Sequence, residues 1–173
     1  MFQKFIIFTG FQVTWFACVF GEYFNFPLTG VFVGIIYLFI FFLYINNKLS
    51  ALKICIFFSI IGYSFDSFLS INKLFVINSN LNFGFLPIWF LILWPCFTTL
   101  FINVLTFLKG RIFLSFILGS LFVPPSYLIG ISLDIAESRN IFLTLSIMIF
   151  FWGFFMSFYS NFLSNSFLKM KTS

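Results

Sequence analysis

The chain has 173 residues, of which 62% are hydrophobic and only 8% charged, and its formal net charge is +5. A soluble domain carries about 25% charged residues, so this composition excludes a water-soluble globular protein. The basic residues border apolar runs and form no patch, which argues against nucleic acid as a partner. The length predicts a single transmembrane domain over residues 1–173.

Six long apolar stretches follow one another between short clusters of charged and turn-forming residues. Crossing the hydrocarbon of a bilayer takes about 20 helical residues. The predicted fold is therefore all-α, a polytopic bundle of six transmembrane helices near residues 4–22, 27–46, 51–70, 86–108, 111–133 and 140–162. We interpret the first stretch as a membrane helix because no signal-peptide cleavage site follows it. The asparagine-rich connection 71–85 is predicted to be a polar exposed loop.

Helix 1 has small residues at helical spacing along one face. Gly10, Thr14, Ala17 and Gly21 recur at intervals of three or four residues. In lipid, helices associate through close backbone approach at such small residues. This stripe therefore predicts helix packing. Gln12 is too polar to face lipid and is expected to point into the bundle.

Helix 3 contains the only carboxylate well inside a predicted span, Asp66, on a stripe with Ser59, Gly62, Tyr63 and Ser70. A charged group at mid-depth costs several kcal/mol, and much less near the interface. Two interpretations stay open. Asp66 either reaches interfacial water and orients the helix, or lies in a polar cavity as a proton site, cation site or head-group ligand.

Prolines interrupt two later helices. Pro95 in helix 4 lacks a backbone donor and is predicted to break or kink that helix. Pro124 and Pro125 break the hydrogen-bond ladder of helix 5, between the packing glycines Gly119 and Gly130. Such irregular backbone at depth marks either a transport site or a kinked packing helix.

Several polar and aromatic residues project to the outer half of the bilayer, and this common depth predicts a shared cavity there. The candidate cavity residues are Asp66, Gln12, Trp15, Trp89, Trp94 and Tyr127. Histidine is absent, and Cys18, Cys55 and Cys96 show no metal-ligand spacing. We therefore expect no metal and no cofactor.

Lysine and arginine are distributed unequally between the two sides of the predicted bundle. One side has Lys4, Lys48, Lys53, Lys109, Arg111, Lys169 and Lys171, whereas the other has Lys73 and Arg139. The positive-inside rule then places both termini in the cytoplasm, and six crossings independently require the two termini to lie on the same side. The predicted location is the inner membrane, with multiple passes. All four acidic residues fall on or near the outer side.

Four groups of motifs follow one another in order over residues 10–135. They are Phe11-Gln12-x-x-Trp15-Phe16-Ala17-Cys18-Val19-x-Gly21, Gly62-x-x-x-Asp66-Ser67, Leu86-Pro87-x-Trp89 with Leu93-Trp94 and Thr98-Thr99, and Gly119 with Pro124-x-Ser126-Tyr127-x-x-Gly130. This ordered set resembles a bacterial membrane family catalogued as domain of unknown function 2878. The resemblance implies a small inner-membrane protein, of a kind often encoded near fatty-acyl-modifying enzymes. It implies no specific activity.

Three positions depart from the pattern of that family. Val123 stands where a glycine is usual before the proline, Pro125 replaces an aliphatic residue, and Asp134 falls near a usual glycine. We therefore expect the close packing around helix 5 to differ from that of the family, and the break at two prolines to be peculiar to this chain.

The favoured function is a lipid- or isoprenoid-associated accessory protein with a cavity in the outer half of the bilayer. The alternatives are a scaffold subunit of a membrane complex and a small transporter that uses Asp66. An intramembrane enzyme is disfavoured, because the chain lacks histidine, paired carboxylates at depth, and a serine or cysteine with an evident base. The expected partners are membrane lipids and, in the scaffold alternative, other membrane proteins or further copies of the chain.

Overall fold

A computed structural model describes the backbone of residues 2–170 and the side chains of residues 3–162. The predicted lysines 169 and 171 therefore lie outside the described side chains. Within the described range the α-helices are α1 (Phe2–Tyr23), α2 (Leu28–Tyr44), α3 (Lys48–Ile71), α4 (Phe90–Asn103), α5 (Ile112–Phe122), α6 (Pro124–Ser132) and α7 (Ile141–Met170). A 3-10 helix, Leu105–Leu108, follows α4.

The all-helical class is confirmed. Four helical segments are long and apolar enough to cross a membrane: Gln3–Tyr23, Lys48–Ile71, Ile112–Ser132 and Ile141–Phe162. Two shorter apolar helices, α2 and α4, lie between them along the chain. The third of the long segments combines α5 and α6.

The sequence predicts a polar exposed loop over the connection 71–85, and this prediction is wrong in part because the connection contains short strands and one core residue. Two-residue strands occur there and after α6: β1 (Val76–Ile77), β2 (Asn82–Phe83), β3 (Leu86–Pro87) and β4 (Ala136–Glu137). Phe75 is buried in the core. The predicted helix over 86–108 starts only at Phe90, because Leu86 and Pro87 pair with β2 in an extended conformation.

Strand pairing brings two connections to the same end of the bundle. β1 pairs antiparallel with β4, which joins the α3–α4 connection to the α6–α7 connection. We call this the capped end. α1 also finishes there, since Glu22 contacts Trp89 just before α4. At the opposite end, Lys4 Nζ near the start of α1 donates to Thr106 Oγ1 over 3.3 Å.

Three helices finish at the capped end with a residue in the left-handed conformation that favours glycine. These residues are Asn25, Lys73 and Asp134, with φ angles of 61°, 56° and 57°. After Asp134 the amide of Ile135 returns to the carbonyl of Gly130 over 3.2 Å.

Aromatic rings form the layer between α7 and the two helices α3 and α4. The rings of α7 pack on partners from α3 and α4 in the pairs Phe151–Phe65, Trp152–Trp94, Phe155–Phe58 and Tyr159–Phe101. α5 in turn packs along α7. Bulky rings therefore hold α7 further from α3 and α4 than the glycine contacts hold α1 from α2.

The small-residue stripe of α1 packs on α2. A Cβ added to Gly10 would lie 2.5 Å from the Tyr37 ring, and one added to Gly21 would lie 2.9 Å from the Phe26 carbonyl oxygen. Thr14 is fully buried, and its hydroxyl donates to the Gly10 carbonyl over 2.9 Å.

The two packing glycines predicted in helix 5 differ in how closely they are approached. A Cβ at Gly119 would lie 2.3 Å from the Trp152 carbonyl oxygen, so α5 and α7 meet there backbone to backbone. At Gly130 the nearest atom, in Ala136, would be 3.5 Å away, which is ordinary van der Waals distance. Gly130 therefore does not mark a close helix contact.

The prolines have different effects on their helices. α5 finishes at Phe122 and α6 begins at Pro124, so the helix is broken at Val123. Pro95, by contrast, lies inside α4, which runs without a break from Phe90 to Asn103. The prediction that Pro95 breaks this helix is wrong, whereas the kink predicted there stays a prediction. One proline removes a single ladder bond, whereas Pro124 and Pro125 remove two adjacent ones.

Candidate functional site

Asp66 is buried inside the bundle and is hydrogen-bonded through both carboxylate oxygens. The side chain is 2% exposed. Trp94 Nε1 donates to Oδ2 over 2.8 Å, and the Tyr127 hydroxyl donates to Oδ1 over 2.8 Å. We call these three residues the Asp66 cluster. The sequence left open whether Asp66 reaches interfacial water or lies in a cavity. The side chain is buried and does not reach the surface.

Each member of the Asp66 cluster comes from a different helix, α3, α4 or α6. Gly62, one turn before Asp66 on α3, makes the arrangement possible. A Cβ at Gly62 would lie 2.2 Å from the six-membered ring of Trp94. The indole therefore lies directly on the α3 backbone, from where its N–H reaches the carboxylate.

Trp152 extends the Asp66 cluster, and the sequence analysis missed it. Its ring stacks on Trp94 with centroids 5.4 Å apart and planes 6° from parallel. The side chain is 3% exposed, and its Nε1–H lies near the Tyr127 hydroxyl. This contact does not have the geometry of a hydrogen bond, and Nε1 has no other partner among the described residues.

A cavity of about 600 Å³ lies between α1 and α4 on one side and α5, α6 and α7 on the other. The structure brings all six candidate residues to its wall: Gln12, Trp15, Asp66, Trp89, Trp94 and Tyr127. With Trp152, all four tryptophans of the chain line this one space.

The cavity is longer than the outer-half cavity predicted from the sequence. Its wall includes Ile77 and Ile135 at the capped end, and Leu105 and Leu108 near the opposite end. It therefore extends along most of the bundle. Its length was not predictable from the depth of the polar residues, because the apolar part of the wall has no marker in the sequence.

Few polar groups interrupt this apolar wall. Asp66 is the one carboxylate among the described lining residues, which include no lysine or arginine. Gln12 is half-buried, and its amide forms no hydrogen bond with another described residue. Ser126 also lines the cavity, but its hydroxyl donates to the Val123 carbonyl over 2.7 Å.

Glu22 is a second buried acid, located at the capped end of α1. The side chain is 7% exposed and accepts a hydrogen bond of 2.7 Å from Trp89 Nε1. Trp89 thus contributes its ring to the cavity wall, while its N–H is used by Glu22. The available signal was that Glu22 lies on the same side of helix 1 as Gln12 and Trp15.

The three cysteines, Cys18, Cys55 and Cys96, are free and buried. Among the residues described, no group of three or more histidine, cysteine, aspartate or glutamate side chains is placed to hold a metal ion.

These features define a helical bundle with four segments able to cross a membrane and a buried carboxylate facing an apolar cavity. The chain belongs to the family described as Protein of unknown function (DUF2878), whose model matches residues 4–158. The resemblance inferred from the sequence motifs is thereby confirmed. No curated protein and no solved structure matches the chain.

Proposed function

We propose that the chain is a multi-pass inner-membrane protein that binds a lipid or isoprenoid chain in the central cavity, as an accessory protein of lipid metabolism. The observation that carries this proposal is the apolar cavity of about 600 Å³ along the bundle, with the Asp66 cluster in its wall. Ligand sites in proteins are mostly apolar spaces of about 300–1,000 Å³ with a few polar groups that orient the ligand.

In this proposal all six apolar helical segments cross the bilayer. α2 has 17 residues and is about 25 Å long. α4 has 14 residues and is about 21 Å long, and the 3-10 helix extends it. Both approach the hydrocarbon thickness of about 30 Å. The alternation of connections between the capped and opposite ends supports an even number of crossings.

Charge supports an orientation with the opposite end in the cytoplasm. The helix ends and connections there carry Lys4, Lys48, Lys53, Lys109 and Arg111, whereas the described basic residues at the capped end are Lys73 and Arg139. Cytoplasmic connections are enriched in lysine and arginine. The Asp66 cluster then lies in the outer half of the bilayer, and the cavity extends from it toward the cytoplasmic side.

Native mass spectrometry of the purified full-length protein tests this function. We expect a retained lipid as a discrete mass increment. Gly130→Leu should remove it, because Gly130 lines the cavity and has room for a Cβ. The matched control, Ser132→Leu, adds the same side chain at an exposed position two residues further along α6 and should retain the lipid. The proposal fails if neither the parent protein nor the control retains a lipid.

A small transporter using Asp66 is the second candidate. It is favoured by the break at Val123 in the cavity wall, close in sequence to Tyr127 of the Asp66 cluster. Non-helical backbone at membrane depth is found where it borders protein or a cavity. Transport requires that Asp66→Asn abolish flux in proteoliposomes while the protein still assembles, whereas lipid retention without flux supports the first candidate.

A further inference from the structure

We propose that the cavity opens sideways into the bilayer through a portal between α1 and α5–α6, so that its occupant is a lipid taken directly from the surrounding membrane. This inference rests on the proposed function and its topology, because it assumes that a lipid occupies the cavity of a bundle that crosses the bilayer. It concerns the route by which that lipid enters and leaves.

The lining residues at the two ends of the cavity are shielded from the surface. At the capped end Ile135 is buried and Ile77 is half-buried. At the opposite end Leu108 is buried and Leu105 is half-buried. The pairing of β1 with β4 adds a further covering at the capped end. Neither end therefore offers a wide path to water.

Stacked rings close the side of the cavity between α4 and α7. Trp152 of α7 lies almost parallel to Trp94 of α4, with ring centroids 5.4 Å apart. Further along the same two helices, Tyr159 stacks on Phe101 with centroids 4.1 Å apart. A lipid chain cannot pass between α4 and α7 without separating these rings.

The side of the cavity between α1 and α5–α6 is open. α1 packs on α2 and α4, whereas α5 packs along α7. Three side chains here border the cavity and are also exposed: Phe8 of α1 is 45% exposed, Phe122 of α5 is 73% exposed and Ile129 of α6 is 41% exposed. A side chain that belongs to the wall and is also exposed lies at the mouth of the cavity. We call these three the portal residues.

The portal lies at the depth of the hydrocarbon. The helical segment Ile112–Ser132 is about 30 Å long, which matches the hydrocarbon thickness of about 30 Å. Phe122 lies at the middle of this segment, and Ile129 lies about 10 Å nearer the capped end. On α1, Phe8 lies about 9 Å from the start of the helix. An opening at this depth faces acyl chains, so it admits the apolar part of a membrane lipid.

The rate of lipid entry tests the portal. A single-chain lipid with a nitroxide at mid-chain is mixed rapidly with the full-length protein in nanodiscs, where it quenches the four tryptophans that line the cavity. Gly130→Leu fills the cavity and records the quenching by probe in the bilayer alone. The remaining, saturable component reports entry into the cavity. The double variant Phe8→Ala with Phe122→Ala widens the portal and should raise the rate constant of this component about threefold.

Two controls accompany the widened portal. The double variant Phe5→Ala with Phe113→Ala makes the same two truncations at exposed positions of α1 and α5 that are not part of the cavity wall. Ile77→Ala widens the capped end instead. Both controls should leave the rate constant of entry unchanged.

A narrowed portal should have the opposite effect. Ile129→Phe adds a ring at the portal and should lower the rate constant about threefold. The matched control, Leu121→Phe, adds the same ring at an exposed position of α5 outside the cavity wall and should not change it. A general loss of folding does not raise the rate constant in one variant and lower it in the other.

The outcomes separate the two proposals. Equal rate constants in the parent, widened and narrowed proteins, with the saturable component still lost in Gly130→Leu, would overturn the portal and leave lipid binding intact. Faster entry in Ile77→Ala but not in the widened variant would overturn the portal and place the entrance at the capped end. Quenching that Gly130→Leu does not change would overturn lipid binding itself, and the portal with it.

Discussion

The indole of Trp94 lies on the bare backbone of Gly62, and its N–H donates to Asp66 one turn further along the same helix. Tyr127 from α6 donates to the second oxygen of the carboxylate. Three helices are thus joined at one buried acid. The same acid forms part of the cavity wall, so its structural and ligand-binding contributions must be separated by experiment.

Substitutions of Asp66 separate hydrogen bonding from charge. Asp66→Leu leaves the Trp94 N–H and the Tyr127 hydroxyl without an acceptor, at a cost of about 1–3 kcal/mol for each group. In Asp66→Asn the amide oxygen accepts from Trp94 and the amide nitrogen donates to the Tyr127 hydroxyl, so we expect a loss of about 1 kcal/mol or less.

The unfolding midpoint in detergent measures this difference. The buried free thiols of Cys18, Cys55 and Cys96 react with a thiol-specific fluorophore as the protein unfolds on heating. Equal destabilisation by Asp66→Leu and Asp66→Asn would contradict the hydrogen-bond account, and would indicate that the negative charge itself stabilises the fold.

Gly62 and Gly130 allow the same substitution, glycine to alanine, to be compared at a tightly packed position and at a loosely packed one. Gly62→Ala places a methyl group 2.2 Å from the Trp94 ring, so the indole must move away from Asp66. Overpacking of this kind costs about 1–3 kcal/mol. Gly130→Ala meets no atom closer than 3.5 Å and should leave the unfolding midpoint nearly unchanged. A larger loss at Gly130 than at Gly62 would show that the contact between Gly62 and Trp94 is not as close as described.

The sequence was sufficient to predict most helix positions and the common depth of Asp66, Trp94 and Tyr127. These predictions use composition and helical rise, which are local properties of the chain. Which side chains on different helices meet depends on how each helix is rotated about its own axis. Composition does not determine that rotation. The sequence therefore grouped Trp89 with Asp66, whereas the structure pairs Trp89 with Glu22.

The pair formed by Glu22 and Trp89 should stabilise the capped end. Trp89→Phe removes the N–H and leaves a buried carboxylate without its donor, which costs about 1–3 kcal/mol. The double variant Glu22→Leu with Trp89→Phe removes both partners and should recover part of that loss. The interaction between Glu22 and Trp89 is measured from the unfolding midpoints of the three variants. Hydrogen exchange of the amides in the α1–α2 turn gives a second measurement. Strictly additive single effects would mean that the two side chains do not interact.

Two further differences between prediction and structure have physical causes. Leu86 and Pro87 read as the start of a helix, but β2 supplies a pairing partner from outside that stretch. Trp152 has no polar neighbour in sequence to distinguish it from the apolar residues of its helix. Its position beside Trp94 arises from the packing of α7 on α4, which is a tertiary contact.

The proposed topology predicts which connections face the periplasm. A reporter active only in the periplasm should give strong signal when inserted at Asn80, in the α3–α4 connection. The same reporter fused after Leu108 should give none, because the proposed topology places the basic connection through Lys109 and Arg111 in the cytoplasm. Signal is compared after normalising for the amount of fusion protein. Strong signal after Leu108 would contradict both the orientation and the outer position of Asp66.

Photo-crosslinking tests the central claim, that a lipid chain lies inside the bundle, most directly. A single-chain lipid with a diazirine in mid-chain is added to the protein in nanodiscs, and the labelled residues are mapped by peptide mass spectrometry. We predict labelling of Leu93 and Leu118 in the cavity wall, lost in Gly130→Leu and kept in Ser132→Leu. Labelling confined to outward-facing residues such as Phe32, and equal in both variants, would contradict the account.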